Sequence, residues 1–400
     1  MPHTDYISKL LDMGSINILD LNFDDKAIVI AFKLQRRPHI CPDCAGITDK
    51  VHDYRIQIVK DVPAFGKKLI WHYSKRCYCC PFCNKRFYET NGLLPKFHRL
   101  TRRLTAYCIN ELKRKCSQKD ISTSLGISPS TVYRWLQLIG YSKPLQLPKV
   151  LSIDEFKGNT DRGKFQCILT SPVDKKVVDI LPTRDSNDIF EYLRQFPNRK
   201  EVQYFITDMC KPYVQNAKHL FPQATIVIDR FHVVRYCTWA VENVRKRVQK
   251  KLLPEQRKYF KRSRKLLLAH MAKLSDDNKA AVERMLLFSR DLREAYLLKE
   301  VFYKFMASKN KQEAIKYLKE FRIHAYVVDI PEFKACLTML HNWEPYILNA
   351  FTCPYSNGFT EGINNTIKVI KRIAYGYRNF NNFRLRILHT LEMNKEPITF

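Results

Sequence analysis

Two short cysteine motifs, Cys41-Pro-Asp-Cys44 and Cys80-Pro-Phe-Cys83, constrain the start of this chain more than any other feature. Each spacing lets a tight turn aim two thiolates at one ion, and four sulfurs close the tetrahedral shell of a single zinc. A closed shell leaves no position for water, so this zinc belongs to folding and not to catalysis. The proline after the first cysteine of both pairs argues against coincidence. Cys77 and Cys79 lie near enough that either can replace Cys80 as a ligand. Short β-like runs at Ala27 to Leu34 and Lys68 to Tyr73 share this region, so residues 1–95 read as a small metal-stapled module.

Thirteen cysteines are an odd number. In a chain whose Met1 to Leu10 has neither the basic nor the apolar segment of an export signal, they fit a reducing compartment better than a disulfide framework. No apolar run approaches the ~20 residues that cross a bilayer, so a soluble, intracellular protein is expected. Lys and Arg outnumber Asp and Glu by 69 to 39, a formal charge of +30, and such a field favours polyanions. Nucleic acid is the leading partner. A length of 400 residues exceeds the about 100 to 200 of a typical domain, so several units are expected.

The pattern turns helical from Leu100 to about Tyr141, before Pro144 and Pro148 interrupt it in a short linker. Between Ser117 and Leu136, the spacing of Ile121, Leu125, Ile127, Val132 and Leu136 suits two crossed helices with a common core, with Gly126 at their turn. Ser128 can cap the second helix and Pro129 suits its first position. Ser130, Thr131, Tyr133 and Arg134 then face a DNA major groove. A helix-turn-helix over 96–143 is the prediction, and the basic approach through Lys113, Arg114, Lys115 and Lys119 favours DNA over an ordinary helical hairpin.

A third unit, over 150–395, reads as an α/β sheet. Val150 to Phe156, Phe165 to Thr170, Lys176 to Leu181, Val202 to Thr207 and Thr225 to Ile228 are its strands, with a helix at Ser186 to Phe196. From about 234 to 350 the pattern becomes helical, as expected of an insertion, and a last helix begins near Ser356. Asp154 and Asp208 each come at the end of an apolar strand, where ligands of open α/β sheets gather. On the last helix an apolar stripe of Phe359, Ile363, Thr366, Ile370 and Ala374 is expected to dock, leaving Glu361, Asn365, Lys368 and Arg372 on the opposite face. Three such carboxylates suit two Mg2+ or Mn2+ ions about 4 Å apart and the in-line phosphoryl chemistry that such a pair performs. Glu155 competes with Asp154 for the first place and Asp229 with Asp208 for the second. The run Arg245 to Lys265 carries eleven Lys or Arg and one acid, a density that favours phosphate contact by Arg245, Lys246, Lys250 and Lys251. Lys368 and Arg372 add to this surface, and Tyr375, Tyr377, Arg378, Phe380, Arg384 and Arg386 mix aromatics with cations suited to stacking on unpaired bases.

Three segments together resemble the insertion-sequence transposases of the ISL-three family: Val150-Leu-Ser-Ile-Asp-Glu-Phe156, Ile228-Asp-Arg-Phe-His-Val-Val-Arg235, and Tyr355-Ser-Asn-Gly-Phe-Thr-Glu-Gly-Ile-Asn-Asn365 with Ile370 to Phe380. The resemblance spans nearly the whole chain. It implies a zinc-ribbon-like module, a helix-turn-helix and a ribonuclease-H-like DDE domain with a large α-helical insertion. It places the catalytic acids at Asp154, Asp208 and Glu361, and gives Asp229 and His232, as a D-x-x-H box, a supporting role. Double-stranded DNA, as terminal inverted repeats and as target, is then the substrate, handled by a homo-oligomer. The rival readings are a DNA-binding regulator without catalysis and a nuclease that cuts without joining. The carboxylate set argues against the first, and the second shares the same metal chemistry.

Overall fold

The computed structural model describes residues 16–90, 98–141, 143–262 and 264–391, together with Lys9 and Leu94. The absence of an export signal from Met1 to Leu10, Lys9 apart, and the expected outer limits at 1 and 395 lie outside the described residues. The chain divides into two compact units, one built from the described residues up to 141 with 368–391 and the other from 143–367.

The first unit opens with strands β1 (Ile16–Phe23) and β2 (Ala27–Leu34), a small hairpin of β3 (His39–Ile40) and β4 (Ile47–Thr48), the long strands β5 (Val51–Ala64) and β6 (Lys67–Cys79), and β7 (Arg86–Tyr88). The main sheet runs β1-β2-β6-β5, with β7 beside β6. Period-two alternation turns Ile28, Ile30 and Phe32 of β2 and Leu69, Trp71 and Tyr73 of β6 to one buried side, joined by Val59. A buried Arg76–Glu89 pair at 3.1 Å closes the end near the cysteines, and the Tyr73 hydroxyl donates to Glu89 at 2.8 Å.

Three helices follow: α1 (Arg102–Glu111), α2 (Gln118–Leu125) and α3 (Pro129–Gln137). Each starts at a hydroxyl cap, with Thr101, Ser117 and Ser128 accepting from the backbone N–H of Leu104, Asp120 and Thr131. Gly126 ends α2 at φ 63°, a left-handed turn that costs glycine little. Ile121, Leu125, Ile127, Val132 and Leu136 form the expected common core, with Leu104, Cys108 and Leu112 of the preceding segment added to it.

The second unit is built on a sheet of β8 (Val150–Thr160), β9 (Gly163–Ser171), β10 (Lys176–Leu181), β11 (Tyr204–Thr207) and β12 (Thr225–Ile228). Helices α4 (Ser186–Arg194) and α5 (Lys211–Leu220) provide the connections around β11. The strand order is β10-β9-β8-β11-β12. β9 is antiparallel to both its neighbours, whereas β8, β11 and β12 are mutually parallel. Helical structure then takes over: α6 (Arg230–Lys250), α7 (Pro254–Arg262), α8 (Arg264–Leu268), α9 (Asp276–Leu286), α10 (Arg290–Met306), α11 (Lys311–Val328) and α12 (Lys334–Asn349). Spacings of three and four put Val233, Cys237, Ala240, Val241, Val244 and Val248 of α6 in one buried stripe, continuous with the sheet's core through Ile228. Chain direction then returns to the sheet through α13 (Gly358–Ile373). No helix among the described residues is long and apolar enough to cross a membrane.

The last helix, α14 (Phe380–Leu391), packs on the helix-turn-helix, although the expected third unit ran to 395. Leu385 joins the core around Leu104 and Val132. The Arg386 guanidinium, buried, donates to the carbonyls of Arg114 and Cys116 in the α1–α2 turn, both at 2.8 Å. His389 Nε2 donates to the Ile109 carbonyl at 2.7 Å. Replacing Arg386 by Met leaves those turn carbonyls without a donor at about 1–3 kcal/mol. At roughly 2–4 °C per kcal/mol for a unit of this size, thermal unfolding of the first unit should come about 2 to 12 °C earlier. A transition that stays within a degree of the parent's would show that water replaces the guanidinium.

Candidate functional site

The two cysteine knuckles are built alike. Cys41 N–H donates to Gly46 O at 2.8 Å and Cys80 N–H to Lys85 O at 3.0 Å, and the residue after each second cysteine, Ala45 (φ 58°) and Asn84 (φ 56°), is left-handed. The sulfurs lie 3.6 Å apart for Cys41 and Cys83 and 3.5 Å for Cys44 and Cys80, with all four ligand atoms within 4.8 Å of one another. A tetrahedron with Zn–S of about 2.3 Å needs about 3.8 Å between sulfurs, so the four thiols fit zinc. Among the described residues this is the one group of three or more His, Cys, Asp or Glu drawn so close. Cys77 and Cys79 stay outside it on β6, which leaves Cys80 as the third ligand.

The acidic site follows from strand register. Ile206 of β11 pairs with Ser152 of β8, so two residues further on Asp208 comes level with Asp154. Thr207 pairs with Ile228 of β12, so Asp208 also comes level with Asp229. Three parallel neighbours therefore set three aspartates level: Asp208 and Asp229 follow the last residues of β11 and β12, whereas β8 runs on past Asp154 to Thr160, beyond its expected end at Phe156. Burial pushes Asp154 up to about 6; the Glu155 amide and His232 oppose the shift, while Asp208 and Asp229 add like charge. Asp208 is raised as well, first by burial. His232 Nδ1 meets Asp229 Oδ2 at 3.1 Å, and that bond raises the imidazole pKa against the effect of its burial. Glu155 is held differently, with Tyr213 donating to one oxygen at 2.9 Å and Arg184 to the other at 3.0 Å. Its charge has partners, and Asp154 is the carboxylate left facing the cluster.

Helix α13 reaches this point by a face other than the expected one. Its buried residues are Thr360, Asn364, Ile367 and Ile370, preceded by Asn357, while Phe359, Ile363 and Thr366 are half-buried. The cause is a polar ladder. Asn357 accepts from the Ser152 hydroxyl, Thr360 pairs with Thr170 at 2.7 Å, and Asn364 Nδ2 donates to Asp154 Oδ2 at 2.8 Å. Hydroxyls on β8 and β9 thus satisfy polar helix residues and draw them inward. Glu361 stays exposed, three residues and about 60° of rotation from Asn364. The structure brings together Asp154, Asp208, Asp229 and His232 and leaves Glu361 solvent-facing. Asn364 was not singled out in the sequence, although the spacing of Asn357, Thr360 and Asn364 is that of one helix face. The chemistry fits divalent ions: hard oxygen donors with unbalanced, desolvated negative charge.

Of the expected DNA readers, Ser130 and Arg134 are exposed, and Tyr133 is 39% exposed with its hydroxyl accepting from Asn382 Nδ2 at 2.8 Å. Thr131 is a correction. It is buried at the start of α3, with its hydroxyl 2.9 Å from that of Ser128, so it shapes the cap and does not face outward. Arg245 is a second correction: it is buried, paired with Glu242 at 2.8 Å and donating to the Phe260 carbonyl, because two helices meet over it. Lys246, Lys250, Lys251, Lys368 and Arg372 are exposed. Tyr375 is 99% exposed, whereas Tyr377 stacks on Phe383 with centroids 4.8 Å apart; Phe380 and Arg386, expected to face unpaired bases, are buried, Arg386 because its guanidinium is held by the carbonyls of Arg114 and Cys116.

Residues 151–387 match a DDE family of the ISL3 type described as a transposase. Residues 37–83 match the zinc-finger of transposase IS204/IS1001/IS1096/IS1165, and 89–140 match the helix-turn-helix domain of transposase family ISL3. The transposase for insertion sequence element IS1001 of Bordetella parapertussis is 25% identical over 375 residues, 90% of this chain and 91% of that one. A Lactococcus lactis subsp. lactis protein described as an ATP-dependent protease is 34% identical over 140 residues, 34% of this chain and 40% of that one. A shared stretch of that size does not carry an activity across.

Two outcomes follow from these geometries. Elemental analysis should find about one zinc per chain. Cys80→Ser should abolish it and Cys79→Ser should leave it; the reverse pattern would move the ligand register. For Asp154, the folded pKa of about 6 lies above the ordinary 3.8, so the stability tied to its proton is full below 3.8 and lost as pH rises through about 6. Without divalent ions, Asp154→Asn should therefore exceed the parent in stability by about 1–3 kcal/mol at pH 7.5 and match it near pH 4. Urea denaturation at both pH values measures this, and equal stabilities at pH 7.5 would contradict a desolvated carboxylate.

Proposed function

Because the chain belongs to the transposase family ISL3, we propose that it cuts and joins DNA at a DDE site made by Asp154, Asp208 and Glu361. The observation that carries the reading is the register that sets Asp154, within β8, level with Asp208, just past the end of the parallel strand β11, beside a helix bearing Glu361. A sheet in the order β10-β9-β8-β11-β12 with only β9 reversed within its core supports the ribonuclease-H-like assignment. The unit from 150 onward, with its helical insertion at about 234–350, is the catalytic domain in this reading, and the zinc module over 1–95 and helix-turn-helix over 96–143 recognise the DNA ends.

Asp154, Asp208 and Glu361 would hold two Mg2+ or Mn2+ ions. Bound there, such ions supply Lewis acidity to a phosphate oxygen and a more acidic water or 3′-hydroxyl. The protein's own contribution is position. Asn364 and the Glu155 amide orient the Asp154 carboxylate from two sides, at 2.8 and 2.7 Å. Arg184 and Tyr213 keep Glu155 engaged elsewhere. Asp229 fixes His232 beside the acids, in a supporting role toward the DNA strand. Ser130 and Arg134 read base edges, while Lys246, Lys250, Lys251, Lys368 and Arg372 meet phosphates. Two copies of the chain acting on paired DNA ends complete the proposal.

An enzyme is favoured over a regulator because burying aspartates side by side is costly and gains nothing in DNA binding. The test uses a DNA fragment bearing the element's own end. Nicking is followed first, then joining of the freed 3′-hydroxyl to a second DNA. Asp154→Asn, Asp208→Asn and Glu361→Gln should each abolish both steps while end binding persists, and the triple variant should lose little more, since the three act as a unit. Glu155→Gln should retain turnover. Full activity of Glu361→Gln would remove that residue from the site, and nicking without joining by the parent protein would make it a nuclease.

A further inference from the structure

We propose that Asn364 is a positioning residue for the metal ion at Asp154, with its Oδ1 accepting a hydrogen bond from a water in that ion's shell. The inference rests on the catalytic reading of Asp154. Asn364 is 6% exposed, and its Nδ2 donates to Asp154 Oδ2 at 2.8 Å. Its Oδ1 is buried and has no hydrogen-bond partner among the described residues. A buried acceptor left unpaired costs about 1–3 kcal/mol, and natural structures pair nearly all such atoms.

The amide cannot simply be turned over. Reversal would set Oδ1 against the Asp154 carboxylate, acceptor against acceptor. The other polar residues on this face of α13 and just before it show what a purely structural solution looks like. Asn357 takes the Ser152 hydroxyl through its own Oδ1, and Thr360 pairs with Thr170. Asn364 alone among these three spends its donor on a proposed metal ligand and keeps its acceptor free beside it. Because the carboxamide is planar and short, fixing Nδ2 on Asp154 also fixes Oδ1 near whatever that carboxylate binds. Mg2+ and Mn2+ keep several waters when bound by few carboxylates, and those waters are donors in need of acceptors. Partners of this kind in other metal sites change affinity by about 10- to 100-fold when removed.

The experiment is a Mn2+ titration of the full chain without DNA, reading free Mn2+ by electron paramagnetic resonance. Asn364→Leu should weaken binding by about tenfold or more. Asn364→Asp should bind Mn2+ more tightly than the parent and gain more thermal stability from it, since it puts a charged oxygen where Oδ1 stands. A residue that only steers Asp154 through its Nδ2 would instead lose affinity in Asn364→Asp, and that result overturns the proposal. Unchanged affinity in Asn364→Leu overturns it too, and should that variant fail to fold, Asn364→Asp decides alone. Asp154→Asn separates the two levels: if it binds Mn2+ like the parent, the metal reading of Asp154 itself is wrong. If it loses binding while Asn364→Leu does not, only the role of Asn364 falls.

Discussion

Strand β8 turns Ser152 and Asp154 to the same side, because side chains alternate along a strand. Helix α13 and the residue before it bring Asn357, Thr360 and Asn364 against that side at helical spacing. The contact is polar from end to end, in a place where a domain of this size would usually put leucine or valine. Each bond is worth only about 0.5–1.5 kcal/mol net, but unmaking one leaves a buried group unpaired at greater cost. The ladder therefore acts less as glue than as a lock on rotation. Turning α13 by one residue, about 100°, would strand these polar groups and carry Glu361 to a different side. Where Glu361 stands is thus a consequence of pairings it does not make.

The charge of this protein shows the same division between position and composition. A formal +30 suggests a uniformly basic surface, yet part of the basic run on α6 is structural. Arg245 is enclosed by Glu242 and the Phe260 carbonyl, and Arg247 bridges Asp291 and Glu332, both at 2.6 Å. Lys299 is fully buried against Glu300 at 2.8 Å. The Arg247 pairs tie α6 to other elements, whereas the Arg245 and Lys299 pairs lie within one helix, and such buried pairs add little stability over apolar packing. The exposed positive charge of the α6 run sits on neighbours such as Lys250 and Lys251.

The helix-turn-helix likewise depends on residues far from it in the chain. Its three short helices make a small core, and small cores are marginal. The C-terminal helix adds Leu385 to that core and caps the α1–α2 turn with Arg386. The knuckles contribute by another route, bringing four sulfurs from two separate stretches of chain within 4.8 Å of one another.

Much of this was legible in the residues themselves. The two Cys-Pro-x-Cys turns, the five apolar runs of the α/β sheet, the capped helices around Gly126 and the aspartates that follow apolar runs are local patterns. Each follows from spacing, period or a cap that needs no partner from elsewhere. The long strands β1 and β5 were less visible, since most of their side chains face solvent and break the alternation. Long-range pairing decided the rest. The choice of Cys80 over Cys79, the burial of Thr131 and Arg245, the docking of the last helix on the helix-turn-helix and the inward face of α13 all depend on which groups lie opposite. Helical periodicity can show that a stripe exists, but hydrogen bonds to Ser152, Thr170 and Asp154 determine which stripe turns inward. Those acceptors and donors come from strands about two hundred residues earlier, and only folding places them there.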